Sequence, residues 1–169
     1  MTKKRTSCHC ENPLGGRSNL DTSIKVNIFH SKAIPFKKTK VIELVQKTLR
    51  KFGVRKALVN IEIADDKRIV EVNKEFLKSS SITDVISFDV SEAADKIFDI
   101  IVNAQLAKRQ AKLRGHSYEA ELVLYILHGL LHQLGFDDLS TGKAKKMHAM
   151  EDEILRKSGF GVVYASDKR

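Results

Sequence analysis

Two imidazoles four residues apart, His128 and His132, stand in the run Leu127-His-Gly-Leu-Leu-His-Gln-Leu-Gly-Phe-Asp-Asp138. On a helix, residues i and i+4 lie one above the other on the same face. Such a pair can chelate one transition metal, for which neutral imidazole is the commonest protein ligand. Gly135 follows the last apolar residue, where a helix takes a left-handed cap, and the turn it makes can carry Asp138 back toward the two rings. The spacing His-x3-His-x5-Asp supplies three ligands and leaves a fourth position for water, which is the catalytic rather than the structural pattern of zinc. The chemistry implied is metal-assisted hydrolysis with one zinc per chain. The alternative is a pair of core histidines bonded to backbone carbonyls, but that reading asks for neither the glycine nor the carboxylate. Zinc proteases place a Glu directly after the first His as general base. Gly129 occupies that position here and has no side chain to activate water, so peptide hydrolysis by that route is not expected.

The elements that must position these residues follow from periodicity. Leu122 to Leu134 is almost continuously apolar, so Ser117 to Leu134 reads as a helix apolar nearly all round and the most buried element. Before it, Ile24 to His30, Ala57 to Ala64, Thr83 to Val90 and Ile97 to Val102 read as strands. Lys37 to Phe52, a segment with Ile69, Val72, Asn73 and Phe76 that Asp65 or Asp66 can cap, and Asn103 to Arg114 read as helices. Thr141 to Ser158 forms the last one. The order implies an α+β class: a single mixed four-stranded sheet packed by about five helices, one of them a zincin-like metal helix. Residues 1–22 read as a flexible N-terminal extension, 23–160 as a single catalytic domain and 161–169 as a C-terminal tail.

Composition narrows the partners. The 169 residues carry a formal net charge of +9, and the charge is unevenly placed. Between Lys32 and Lys56 nine cations, among them Lys37, Lys38, Lys40, Arg50 and Lys51, face one anion, Glu43. A second cluster, Lys108, Arg109, Lys112 and Arg114, has no anion near it. Two basic stripes in a chain of pI ≈ 9.6 point to a polyanion, with nucleic-acid phosphates the natural one. No stretch is long and apolar enough for a membrane span, and the basic N-terminus is followed by no apolar secretion signal. Cys8 and Cys10, separated by one residue, make a poor structural disulfide, so the cytoplasm is the expected compartment.

Taken together, these residues resemble the YbeY family of metal-dependent endoribonucleases of ribosomal RNA maturation. The family's hallmark is His-Gly-x-Leu-His-Leu-x-Gly-Tyr/Phe-Asp-His, matched here from His128 to Asp138. An upstream block, Asn-x-x-Tyr-Arg-x-x-Asp-x-Pro-Thr-Asp-Val-Leu-Ser-Phe, is matched by Asn73 to Phe88, ending in Thr83-Asp-Val-Ile-Ser-Phe88. The similarity spans about residues 23–160. It implies zinc-dependent, single-strand-specific cleavage of RNA, acting at the 3′ end of small-subunit ribosomal RNA and in ribosome quality control. The implied partners are ribosomal RNA and the small ribosomal subunit, with no DNA and no membrane. His128 and His132 carry over as catalytic as well as metal-binding residues, and Asp84 falls in the signature that opens the third strand. The chain departs from the family at several points: Asp138 stands where the third His is usual, Leu77 where the Arg is, Ser80 and Ile82 where an Asp and a Pro are, and Phe98 for a Gly. Lys78, beside Leu77, could replace the missing cation, as a point charge rather than a bidentate fork. Loss of that Arg motivates the alternative, a non-catalytic ribosome-associated RNA-binding maturation factor. A hydrolase of another substrate, a small phosphoester or a peptide, is disfavoured by the basic clusters and by Gly129.

Overall fold

The computed structural model describes residues 23–30, 36–92, 95–161 and 163–164, and for Leu77 the backbone alone. The anticipated extension, 1–22, and most of the C-terminal tail lie outside the described residues.

Alternation in the sequence becomes four strands, β1 (Ile24–His30), β2 (Ala57–Ala64), β3 (Val85–Asp89) and β4 (Lys96–Asn103). They form one mixed sheet in the order β1-β2-β4-β3, with β1, β2 and β4 parallel and β3 antiparallel to β4. The last strand in sequence is therefore inserted between the second and third. Among the described residues five α-helices accompany it: α1 (Lys38–Lys51), α2 (Asp66–Val72), α3 (Ala104–Arg114), α4 (Tyr118–Gln133) and α5 (Thr141–Lys157). The α+β class and the single mixed four-stranded sheet are thus as anticipated.

Each face of the sheet has its own core. On one, Val59, Ile61, Ile63, Phe98, Ile100 and Val102 are buried with residues of α1, α3, α4 and α5. On the other, α2 contributes Ile69 and Val72 to a smaller cluster with Ala64 and Ile86. Helix α4 is buried almost along its length, from Ala120 to Leu131 with His128 half-buried. Its closeness to the sheet explains Gly129: a Cβ there would lie 2.8 Å from Val85 Cγ2 and 3.1 Å from Ile100 Cγ2. The residue that removes the protease base is thus also the one that lets α4 lie flat on β3 and β4.

Side-chain caps define several helix starts. Asp65, Asn103, Ser117 and Ser140 accept from the backbone N–H of Arg68, Leu106, Ala120 and Lys143. One local feature differs from the sequence expectation. The helix through Phe76 does not continue as an α-helix; after Val72 it widens into a π-helical turn, Asn73–Leu77, ending at Lys78 with φ 53°. Asn73 is buried there and its side-chain amide donates to Ser81 O at 2.8 Å, which ties the following loop back onto the turn. Beyond the last helix, Val163 is fully buried, and Val163 and Tyr164 donate backbone N–H groups to Asp152 Oδ1.

Candidate active site

His128 and His132 project from one face of α4, their ring planes nearly perpendicular at 85°. Gly135, with φ 88°, turns the chain after Leu134, and Phe136 N–H bonds back to Leu131 O. This turn returns Phe136 O to His132 Nδ1 at 3.1 Å and Asp138 Oδ2 to 3.7 Å from His128 Nε2. One ligand atom each of His128, His132 and Asp138 falls within 4.8 Å of the others, a set that could hold a metal ion. Asp137 is turned away instead, accepting from Leu139 N and from Lys143 Nζ at 2.6 Å.

Tautomers can be assigned from the partners. A carbonyl oxygen only accepts, so His132 Nδ1 carries the proton it donates to Phe136 O. His128 Nδ1 lies 2.7 Å from Glu151 Oε1, on α5, and donates to that carboxylate. Both Nε2 atoms therefore point their lone pairs into the same space, 3.0 Å apart. Two lone pairs at that distance repel unless a proton or a cation lies between them. Burial works against the imidazolium of His128, but the hydrogen bond and charge of Glu151, with the charges of Asp84 and Asp138, outweigh it and raise its pKa above the ordinary value. Glu151 is itself fully buried, and its Oε2 has no hydrogen-bond partner among the described residues. Three carboxylates thus act on His128, and the donor set of His128, His132 and Asp138 fits a divalent cation.

Glu151 is the residue of this candidate site that the sequence reading missed. Its signal was present: it occupies the buried stripe Met147, Glu151, Ile154, Leu155 of α5, where a charged residue is out of place unless something pairs with it.

Beside His128 opens a cleft of about 300 Å³, lined by Ile82, Thr83, Asp84, Gln110, Arg114, Tyr125 and Tyr164 among others. Asp84 Oδ1 accepts from Val85 N–H at 2.8 Å and from the Thr83 hydroxyl at 3.0 Å, so the residue both starts β3 and faces the cleft. Ser87 ties β3 to α4 by accepting from Gln133 Nε2 at 2.6 Å. Burial above all pushes the Tyr125 and Tyr164 hydroxyls to higher pKa, and both stay protonated at neutral pH. Lys78 is exposed past the π-helical turn and is not among the residues lining this cleft.

The basic residues divide into two sets. Lys40 donates to Gly159 O at 2.7 Å and lies over the Phe160 ring, Lys51 pairs with Glu153 at 2.9 Å, and Arg109 forks onto Asp66 at 2.7 and 2.9 Å. These three are engaged within the fold. Lys37, Lys38, Arg50, Lys108 and Lys112 are exposed, and their side chains have no partner among the described residues.

Comparison with known proteins agrees with this geometry. The family model described as Endoribonuclease YbeY matches residues 26–159. Among curated proteins, the chain is similar to Endoribonuclease YbeY of Aquifex aeolicus (strain VF5), 34% identical over 125 residues, 72% of this chain and 83% of that one. It is likewise similar to Endoribonuclease YbeY of Bacillus cereus (strain B4264), 30% identical over 141 residues, 73% of this chain and 90% of the relative. The fold matches the solution structure of TM1509 from Thermotoga maritima with a TM-score of 0.53 at 20% identity, covering 87% of this chain and 97% of that one.

Proposed function

Because the chain belongs to the YbeY family of endoribonucleases, we propose that it is a zinc-dependent endoribonuclease cutting single-stranded RNA in ribosomal RNA maturation. Its place is the 3′ end of small-subunit ribosomal RNA and ribosome quality control, with the small subunit as partner and the cytoplasm as compartment. No helix among the described residues is long and apolar enough to cross a membrane.

The observation that carries the reading is the pair of Nε2 atoms 3.0 Å apart, each with its opposite ring nitrogen pinned as a donor. His128, His132 and Asp138 would hold the metal. When bound, zinc supplies a Lewis acid for a phosphoryl oxygen and lowers the pKa of coordinated water toward neutrality. Everything else falls to the chain itself. Glu151 and Phe136 O keep both imidazoles in the ligating tautomer, the arrangement that commonly supports metal-binding histidines. Asp84, with Oδ1 engaged and Oδ2 unpaired among the described residues, is assigned the proton taken from the attacking oxygen. Lys78 is assigned only substrate-facing charge on the loop that leads to Ile82 and Thr83. Exposed Lys37, Lys38, Arg50, Lys108 and Lys112 follow the RNA backbone, with Lys40, Lys51 and Arg109 adding charge to the same helices while anchored to the fold.

Metal content and cleavage of a single-stranded RNA, measured together on wild type and His132→Ala, test the proposal. Near-stoichiometric zinc and cleavage, both lost in the variant, are expected. Bound metal and RNA binding without cleavage would instead identify a non-catalytic maturation factor. Failure to take up added zinc would remove the metal site altogether.

A further inference from the structure

The nuclease reading counts Arg114 only in a basic cluster and gives it no place at the site, although it lines the same cleft as His128. It is the last residue of α3, where a cation is favourable beside the helix's negative end. Its Nη1 donates to Glu121 Oε1 at 3.2 Å, and Glu121 is completely buried on α4. His116 Nε2 lies 3.0 Å from the other oxygen of that carboxylate, an ion-pair contact without hydrogen-bond alignment. Arg114 is different. One of its five N–H donors is engaged, the others have no partner among the described residues, and its side chain is 34% exposed. Apart from His128 it is the one cationic residue lining the cleft among the described residues.

The rest of the cleft suits one nucleotide. Ile82, 50% exposed, gives an apolar rim, buried Tyr125 lines the wall with Tyr164, whose ring stacks on His148, and Gln110 offers an amide. Asp84 marks the end nearest β3, where the attacking oxygen is placed, and the guanidinium presents a fork to the neighbouring phosphate at the α3 end.

We propose that the cleft between α3, α4 and the Ile82–Asp84 loop is a one-nucleotide RNA subsite in which Arg114, held by Glu121, binds the phosphate next to the one that is cut. The proposal rests on the nuclease reading and deepens it. It makes Arg114 a substrate-binding residue and Glu121 its positioning residue.

A competing account gives Arg114 no task beyond neutralising buried Glu121, and two variants separate the accounts. Arg114→Lys keeps the charge and removes the fork. The double change Arg114→Met with Glu121→Gln removes both charges, so no buried carboxylate is left unpaired and the fold is expected to survive. Binding of a fluorescein-labelled single-stranded RNA is read by anisotropy in EDTA, which makes the readout independent of cleavage, with thermal unfolding run alongside. The double variant is expected to unfold near the wild-type temperature yet bind about tenfold more weakly, the scale of one charged contact. The slope of log K against log salt should fall by about 0.7, the value of one phosphate on a single strand. Arg114→Lys should bind between the two, with wild-type salt slope. Wild-type affinity and slope in the double variant would overturn the subsite while leaving the nuclease reading intact. Wild-type protein that fails to bind the RNA in EDTA and fails to cut it once zinc is supplied would overturn both. If the double variant fails to fold, Arg114→Lys decides: unchanged affinity overturns the fork, and a several-fold loss supports it.

Discussion

The chemistry of individual residues turns on how ring nitrogens are held. His128 and His132 would be ordinary polar residues on a buried helix if their Nδ1 atoms were free to ligate or accept. Glu151 and the carbonyl of Phe136 remove that freedom and leave Nε2 for a cation. Glu151→Gln keeps an oxygen that accepts from His128 Nδ1 but takes away the negative charge. We expect zinc affinity to fall by about 10–100-fold, the usual cost of losing an outer carboxylate, while the metal-free protein unfolds at about its original temperature. Competition titration with a chromophoric chelator measures the first quantity. An unchanged affinity would show that hydrogen bonding alone, not charge, supports the ring.

At the scale of elements, α4 and α5 carry the site, and each is held by a contact of its own. The first is Gly129 against Val85, Ile100 and Ser87 of the sheet. Val85 and Ile100 present short, β-branched methyls that cannot swing aside. Gly129→Ala should therefore destabilise the protein by about 1–3 kcal/mol, the range for overpacking a filled core, measured by urea unfolding. Stability equal to wild type would mean that helix and sheet separate more easily than this packing implies. The second contact joins α1 to α5, which carries Glu151. Hydrogen bonds from Lys157 and Lys51 hold Glu153 well below its ordinary 4.5, at about 2. A carboxylate whose pKa is depressed by folding contributes stability in full above its unfolded value and loses it as pH falls through the folded value. The melting-temperature difference between wild type and Glu153→Gln should thus be constant above about pH 5 and vanish as pH approaches 2. A difference that persists at pH 2 would show that these ion pairs are not its source.

For the molecule as a whole, the metal should behave as part of the fold. Residues from α4, the following turn and α5 meet only in the native state, so an ion that they bind stabilises that state by mass action. Zinc at about 100 times its dissociation constant should add roughly 2.7 kcal/mol, and EDTA should remove it. A calorimetric melting temperature indifferent to both would argue against a site assembled by folding.

Local features were legible before any coordinates. His128 and His132 share a face because helical geometry dictates it within four residues. Gly135 and Asp138 follow because a left-handed turn acts over a few residues more. The cap at Asp65, one of the two residues the sequence offered, and the alternation of β2 are equally short-range. What lies far apart in sequence was decided only by the tertiary structure. Insertion of β4 between β2 and β3 brings the β3 residues to α4, and α5 brings Glu151 to His128 across 23 positions. The charge runs show the same division. Composition placed cations on α1 and α3, yet pairing with distant Glu153, Asp66 and Gly159 occupies Lys51, Arg109 and Lys40 and leaves other lysines exposed. Periodicity and capping depend on bonds between near neighbours, so the amino-acid order alone encodes them. Strand order, the ion pairs and the carboxylate behind a histidine depend on which surfaces bury one another, and that is settled only when the whole chain packs.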